Sequence, residues 1–378
     1  MADNNTVIVK NEKQGFLKKI GNSIASIPAG IIILIMGILI LAGNEQDNVQ
    51  NIKDVKELRN QIKDVSSESV DSQYEGKLVA IKGKLTYNDA VLKDDAFNVS
   101  VKAPAFSRNV EVYQWVEDSE TKDDTTTYTY SKEWSSKIID SDDFHSASGH
   151  QNLKEDEIKY KGERFQTEES LKVGAYTLNN NFKSMLSTDK EMSIPEDVVL
   201  PEGYVVYNKY ITNSTDPASP VVGDIRISYN KAEYDDVSVL GKQVGDTIES
   251  YTSNNNKTYA KLYKGSKNST EMINSIEAGN KFMKWFKRAL GTILIIMGIG
   301  LILGPITTLI GYIPFLGNIV NSMIGVVSFL LGLIISLVVI AIAWFVVRPV
   351  LSIILLVVVI VLIAGIVYLK KKKTVEQK

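Results

Sequence analysis

Apolar residues run almost unbroken through two parts of this chain and alternate with polar ones in the rest. From Ala289 to Leu369 the only charged residue is Arg348, and so apolar an interval is at home only in lipid. It has room for three helical crossings of about 20 residues each, and Gly, Pro and Asn mark where they divide. The pattern predicts a juxtamembrane helix and span over 281–310, a turn over 311–318, a span over 319–347, a break at Arg348-Pro349 and a last span over 350–369. A further span covers 24–43 near the N-terminus, where Ile24 to Ala42 carries no charge.

Lys18 and Lys19 precede the first span and Lys370 to Lys373 follow the last, which places both tails, 1–23 and 370–378, in the cytoplasm. Four crossings agree, because an even number returns the chain to its starting side. A cleaved signal peptide is the competing reading of the first segment. Its apolar core, however, exceeds the usual length of about 7–15 residues, and Leu41-Ala42-Gly43-Asn44 makes a poor cleavage site. An uncleaved anchor leaves 44–280 across the membrane, extracytoplasmic in a bacterium and lumenal or perinuclear in a eukaryote. Lys281, Lys284, Lys287 and Arg288 cluster on the far side of the second span against this topology. Long translocated domains are largely insensitive to the charge rule.

The interval 44–280 has other rhythms. Over 44–65, Val49, Ile52, Val55, Leu58, Ile62 and Val65 recur at spacings of three and four, an amphipathic helix continuing the first span. β-branched and aromatic residues then concentrate in Lys77 to Leu85, Phe97 to Val101, Val110 to Val116 and Thr125 to Trp134, between Asn, Asp, Gly and Pro turns. A polar middle from Gln151 to Lys190 reads as helical or irregular. Strand patterns resume at Tyr204 to Ile211, Asp224 to Tyr229, Ala232 to Leu240, Thr247 to Tyr251 and Thr258 to Tyr263, and helical spacing returns from Glu271 to Arg288. The fold class expected is an integral membrane α-helical protein of four transmembrane helices with a large β-rich, α+β domain.

Charge divides along the same boundaries. The chain is near neutral at −2, yet 44–280 holds 28 Lys and Arg against 41 Asp and Glu. An acidic domain argues against nucleic acid, whose phosphates need a basic face, while the basic flanks fit the lipid bilayer and its anionic headgroups. With no Cys there is no disulfide or thiolate site. His145 and His150 near Asp142 and Asp143 could in principle hold a cation, but a solvated acidic loop is the plainer reading. No phosphate-binding loop, zinc-protease or nucleophile-elbow motif occurs, so neither enzyme nor cofactor is expected. Arg348 is an intramembrane charge and on that ground a functional candidate; beside Pro349 it reads more simply as an interfacial turn. Gly300 and Gly304, with Gly298 nearby, suggest close helix packing in the second span.

Several strings point further. Asn44-Glu45 after the first span, Arg108-Asn109-Val110-Glu111-Val112-Tyr113-Gln114-Trp115-Val116-Glu117, Tyr128-Thr129-Tyr130 with Glu133-Trp134, Gly149-His150 with Asn152, Val222 to Tyr229 around Gly223-Asp224-Ile225-Arg226, and Trp344 to Arg348-Pro349 occur in this order. Together they resemble the transmembrane protein 43 family, also called LUMA. The resemblance implies one amino-terminal span, a large lumenal domain and three carboxy-terminal spans. For animal members it also implies residence in the endoplasmic reticulum and inner nuclear membrane, oligomerisation, lamin and emerin contacts, and support of the nuclear envelope. The Lys-, Asn- and Asp-rich, Cys-free composition fits a bacterial member in the cytoplasmic membrane. The motif residues also read as fold determinants: Tyr113 and Trp115 share one face of a strand whose other face carries Val112 and Val116, so both faces are expected to be covered. The expectation is a self-associating membrane scaffold that meets other membrane or envelope proteins. A channel or transporter component is the rival, weakened by how few polar residues the spans contain.

Overall fold

The computed structural model describes residues 5–10, 16–88, 91–122, 125–310, 317–345 and 349–376. The chain forms two compact units, Met1–Lys13 with Gln61–Met272, and Gln14–Asn60 with Ile273–Lys378.

The first unit is β-rich. Its strands are β1 (Thr6–Lys10), β2 (Lys63–Val65), β3 (Leu78–Thr86), β4 (Val91–Asp94), β5 (Val99–Lys102), β6 (Ala105–Lys122) and β7 (Thr125–Ser135). There follow β8 (Glu163–Gln166), β9 (Leu171–Val173), β10 (Tyr176–Leu178), β11 (Lys190–Glu191), β12 (Val205–Tyr207) and β13 (Tyr210–Thr212). The last are β14 (Ile225–Lys231), β15 (Asp236–Val244), β16 (Thr247–Glu249), β17 (Tyr251–Thr252), β18 (Thr258–Tyr259) and β19 (Lys261–Lys264). Five of them close on themselves: β3 pairs with β9, β9 with β10, β10 with β16, β16 with β15, and β15 again with β3. Only β10 and β16 run parallel within this ring. A closed five-strand order with one parallel pair is the topology of an OB-fold barrel. Its interior takes the inward residues of each strand, among them Val79 and Ile81 of β3, Leu171, Tyr176, Val237 and Ile248.

Two insertions build a second layer. Strands β4 to β8 lie between barrel strands β3 and β9, and β11 to β14 lie between β10 and β15. Most of them join in a sheet ordered β1-β7-β6-β14-β13-β12, with β8 on β6 and β11 on β14. Phe97, Phe106, Ile211, Ile227 and Tyr229 form a core there that is separate from the barrel's.

Several expected elements shift. The helix expected over 44–65 ends at Gln61, because Lys63–Val65 pairs parallel with β3. The stretch from Tyr204 to Ile211 is a hairpin of β12 and β13 turning at Asn208, whose φ is 54°. Gln151 to Lys190 contains no α-helix but β8, β9, β10 and short 3-10 turns. Thr6–Lys10, which charge alone assigns to the N-terminal tail, forms β1 antiparallel to β7.

The second unit is helical: α1 (Phe16–Gln61), α2 (Ser269–Ile310), α3 (Gly317–Phe345) and α4 (Pro349–Glu376). Among the described residues three segments are long and apolar enough to cross a membrane, in Ile20–Gln61, Ser269–Ile306 and Met323–Phe345, and Pro349–Gly365 is a shorter apolar helix. Arg348 and residues 311–316 of the expected 311–318 turn lie outside the described residues, and the last two residues of that turn, Gly317 and Asn318, instead open α3. Pro349 opens α4, where its missing N–H is no loss.

Helices α1 and α2 run antiparallel at glycine-limited distance. A methyl at Gly37 would stand 2.8 Å from the Gly291 carbonyl oxygen, and one at Gly298 would stand 2.7 Å from that of Gly30. The two pairs stand seven residues apart on each helix, and beyond Gly30 and Gly298 the Ser26 Oγ lies 3.2 Å from the Leu301 carbonyl oxygen. Of the three glycines singled out in the second span, Gly298 therefore makes the close approach, whereas Gly300 and Gly304 face Ser328 and Ser26 across wider gaps of 3.9 and 3.7 Å. Ser352 of α4 donates to the Ala341 carbonyl of α3 at 2.6 Å.

Gly298→Val is expected to force α1 from α2 and to cost about 1–3 kcal/mol, as overpacking does. Gly325, beside which there is open space, serves as control. Thermal unfolding in micelles should show a lowered Tm for Gly298→Val and none for Gly325→Val.

Candidate functional site

The most heavily partnered polar group of the helical unit lies at one end of its apolar interval. Glu45 of α1 is fully buried. Arg288 of α2, the last charge before the uncharged run, donates from Nε and Nη2 to its two oxygens at 2.6 and 2.8 Å. Trp344 of α3 donates its indole N–H to the same carboxylate. The Arg288 guanidinium lies over the rings of Trp285 and Trp344, 4.8 and 5.2 Å from their centroids, so its faces are covered by π-systems and its edge by the carboxylate. Asn44 donates to the Lys284 carbonyl at 3.2 Å. Three helices thus meet in one polar layer, and each oxygen of Glu45 already has a charged or aromatic donor. Such a carboxylate is poorly placed to act as a base or metal ligand. It is well placed to hold helices in register.

The β-rich unit gathers most of the remaining motif residues on β6 and β7. Asn152 brackets Trp115, accepting from its backbone N–H at 2.7 Å and donating to its carbonyl at 2.9 Å. Gln114 donates to the Lys137 carbonyl and accepts from Ile139 N–H. His150 is buried, stacks on Tyr130 at 3.8 Å and meets Trp115 edge-on at 4.7 Å. Gly149, at φ 84°, makes the turn that delivers it. Tyr130 donates to Glu117 at 2.7 Å, and the same carboxylate oxygen accepts from His145 N–H. Burial first, and then the bond to Glu117, push the Tyr130 phenol up to about 12. His145 stacks on Tyr128 at 4.1 Å. His145, Asp142 and Asp143 are exposed, as a solvated acidic loop requires, whereas His150 is buried in an aromatic stack and departs from that reading. Among the described residues no cluster of three or more His, Asp or Glu is placed to hold a metal.

A second group surrounds Arg226 of β14. Its Nε meets Glu111 of β6 at 2.7 Å, and its guanidinium covers Trp134 and Tyr210 at 4.6 and 4.9 Å. Tyr113 packs on Trp134 at 5.3 Å. Asp224 accepts from Ser214 Oγ at 2.6 Å and Val221 N–H at 2.8 Å, closing the turn in which Gly223 takes φ 98°. Glu133, opposite Gln114 in the β6–β7 ladder, is exposed. The strand face of Tyr113 and Trp115 is only half-buried, while Val112 and Gln114 are the buried positions. Full cover of both faces was expected from alternation alone. The structure instead covers the outer face with side chains of neighbouring strands, Lys132 lying over Trp115 at 4.5 Å.

Arg108 reaches inward. It meets Asp94 at 2.6 Å, Glu163 at 2.8 Å and the Lys161 carbonyl at 2.9 Å, and Tyr229 donates to the same Asp94 oxygen. Burial and Asp94 hold the Tyr229 phenol far above its ordinary value. Sequence reading found Arg108, and Tyr229 as the end of a separate family string, but missed Asp94 and Glu163 and did not join any of them to Arg108. It also left Arg288 among the juxtamembrane cations. Its place as the last charge before the apolar run, with Glu45 just beyond the first span, was the available signal.

Comparison with known proteins gives the family. The family model described as transmembrane protein 43 matches residues 112–349. Transmembrane protein 43 of Homo sapiens is 26% identical over 374 residues, covering 92% of this chain and 91% of the relative. The homolog of Drosophila melanogaster is 27% identical over 287 residues, covering 71% and 74%. No solved structure matches the chain.

Glu45→Ala should strand Arg288 without its counter-ion and cost about 3–5 kcal/mol, whereas Glu45→Ala with Arg288→Leu should recover most of the loss. A double-mutant cycle on chemical unfolding in micelles would read the coupling. Additive losses would show that the pair does not join the helices.

Proposed function

Because the chain belongs to the transmembrane protein 43 family, we propose that it is a non-enzymatic four-span membrane scaffold whose β-rich unit binds protein partners by strand addition. The observation that carries this reading is the outer edge of β7. It takes β1 in antiparallel register, Thr6 opposite Thr129 through Lys10 opposite Thr125. An edge strand that accepts a short β-branched segment is the surface used in β-augmentation. If α1 crosses the bilayer between Ile24 and Ala42, Thr6–Lys10 and β7 are on opposite sides, and the edge is left for a strand from another chain or a second copy.

The helical unit favours scaffold over channel. Ser336 and Ser352 donate to backbone carbonyls at 2.7 and 2.6 Å, and Thr308 does so at 3.1 Å. Glu45 is closed by its own partners. These groups serve the helices and leave few for a conducting path. The relatives are not named as enzymes.

Since the chain has no Cys, single cysteines report topology without background. Ser66→Cys and Ser187→Cys should react with an impermeant thiol reagent from outside intact bacterial cells, and Thr374→Cys only after lysis. In the same membranes Ile8→Cys with Thr127→Cys, opposite each other in the β1–β7 register, should form no disulfide. A disulfide there, or labelling at Thr374 in sealed cells, would end the four-span reading. Liposomes carrying the protein should pass ions no faster than empty ones.

A further inference from the structure

Beyond the Glu45 layer, α1 and α2 no longer pack glycine on glycine, and a groove of 420 Å³ opens between them. Its far end is closed by Arg59, which donates to Asn274 at 3.1 Å and Glu277 at 3.2 Å. Lys56, Arg59, Lys281 and Lys284 line it against a single carboxylate, Glu277. Glu277 is engaged by Arg59 and, at 2.9 Å, by Lys281, so the lining keeps a clear cationic excess. Ile52 and Val55 supply an apolar wall. Asn280, also in the lining, has a side-chain Nδ2 with no hydrogen-bond partner among the described residues.

The groove stands at a definite depth. Lys284 and Lys281 precede Arg288 by four and seven residues, about 6 and 10 Å along a helix. The headgroup layer outside the hydrocarbon is about 5–8 Å thick on each side. Between these cations α2 exposes Phe282 by 70%, Trp285 by 63% and Phe286 by 52%, large aromatic surface of the kind that settles at the membrane interface. Cations, an apolar wall and an aromatic belt coincide at the level where phospholipid phosphates lie.

We propose that this groove binds the phosphate of an anionic phospholipid from the leaflet on that side, with Lys56, Lys281 and Lys284 as its cations and Ile52 and Val55 against the glycerol and first methylenes. A phosphate brings the negative charge that the lining lacks, and its ester arm brings apolar carbon to the wall beside it. The site requires only that α1 and α2 cross the bilayer and stands apart from the scaffold reading.

The test uses the full chain in a neutral detergent, with Tm followed as phosphatidylglycerol, phosphatidylcholine or inorganic phosphate is added. Phosphatidylglycerol should raise Tm, and the other two should not. Lys56→Gln with Lys281→Gln should need about thirtyfold more phosphatidylglycerol for the same shift, given about 1 kcal/mol for each of the two cations near a surface. Lys56→Arg with Lys281→Arg should restore binding, and Lys53→Gln, outside the groove lining, should behave as wild type. Native mass spectrometry should find phosphatidylglycerol retained by wild type and Lys53→Gln and lost from the double Gln variant. Equal shifts with phosphatidylcholine, or unchanged retention in the double Gln variant, would overturn the site. An equal response to inorganic phosphate would overturn its assignment to a lipid.

Discussion

A carboxylate and a guanidinium, both withdrawn from water at the edge of an apolar interval, join α1 to α2, and the indole of Trp344 brings α3 into the same layer. Removing two such groups from water costs several kcal/mol each unless their partners replace the lost hydration. Here Glu45 receives both N–H edges of Arg288 and the Trp344 donor, and two indole rings cover the guanidinium faces. The arrangement specifies register as much as it stabilises, because a slip of one residue between α1 and α2 would leave a charge in an apolar environment, and a slip of α3 would withdraw the indole donor. Packing on either side follows from it. Toward the apolar side the helices close on Gly37, Gly291, Gly30 and Gly298. Away from it they part around a cationic groove.

The β-rich unit uses a different constraint. Its barrel is closed by pairings between strands far apart in sequence, β3 with β15 and β10 with β16, so two long insertions must leave and return at fixed points. Those insertions hold the family strings. Their polar residues are spent mainly on one another: Arg108 on Asp94 and Glu163, Arg226 on Glu111, and Asn152 on both backbone groups of Trp115. Each is a buried or half-buried polar group whose partner comes from another segment, a condition under which losing one partner costs more than the net worth of the bond. This accounts for motif residues that look chemical in the sequence yet serve mainly to set strand geometry, and it turns attention to edges and grooves for interaction.

What the sequence by itself determined was decided by composition over short windows. The absence of charge from Ala289 to Val347 requires lipid, whatever the neighbours do. The β-branched and aromatic runs became strands β3, β7 and β14, because local preference and period-2 burial agree there. Membership of the transmembrane protein 43 family was also legible, since its strings are contiguous. What only the tertiary structure decided involves partners distant along the chain. Glu45 and Arg288 are 243 residues apart, and nothing local tells a paired carboxylate from a solvated one. Gly298 and not Gly300 meets α1, because the choice depends on which face of α2 turns to its neighbour. Lys63–Val65 has the spacing of a helix and is a strand, because β3 offers it hydrogen bonds that continuing the helix would forgo. Barrel closure, the separate cores and the pairing of β1 on β7 belong to the same class. Each is fixed by which surfaces meet, and that is decided by long-range burial and hydrogen-bond satisfaction, not by the residues of any one segment.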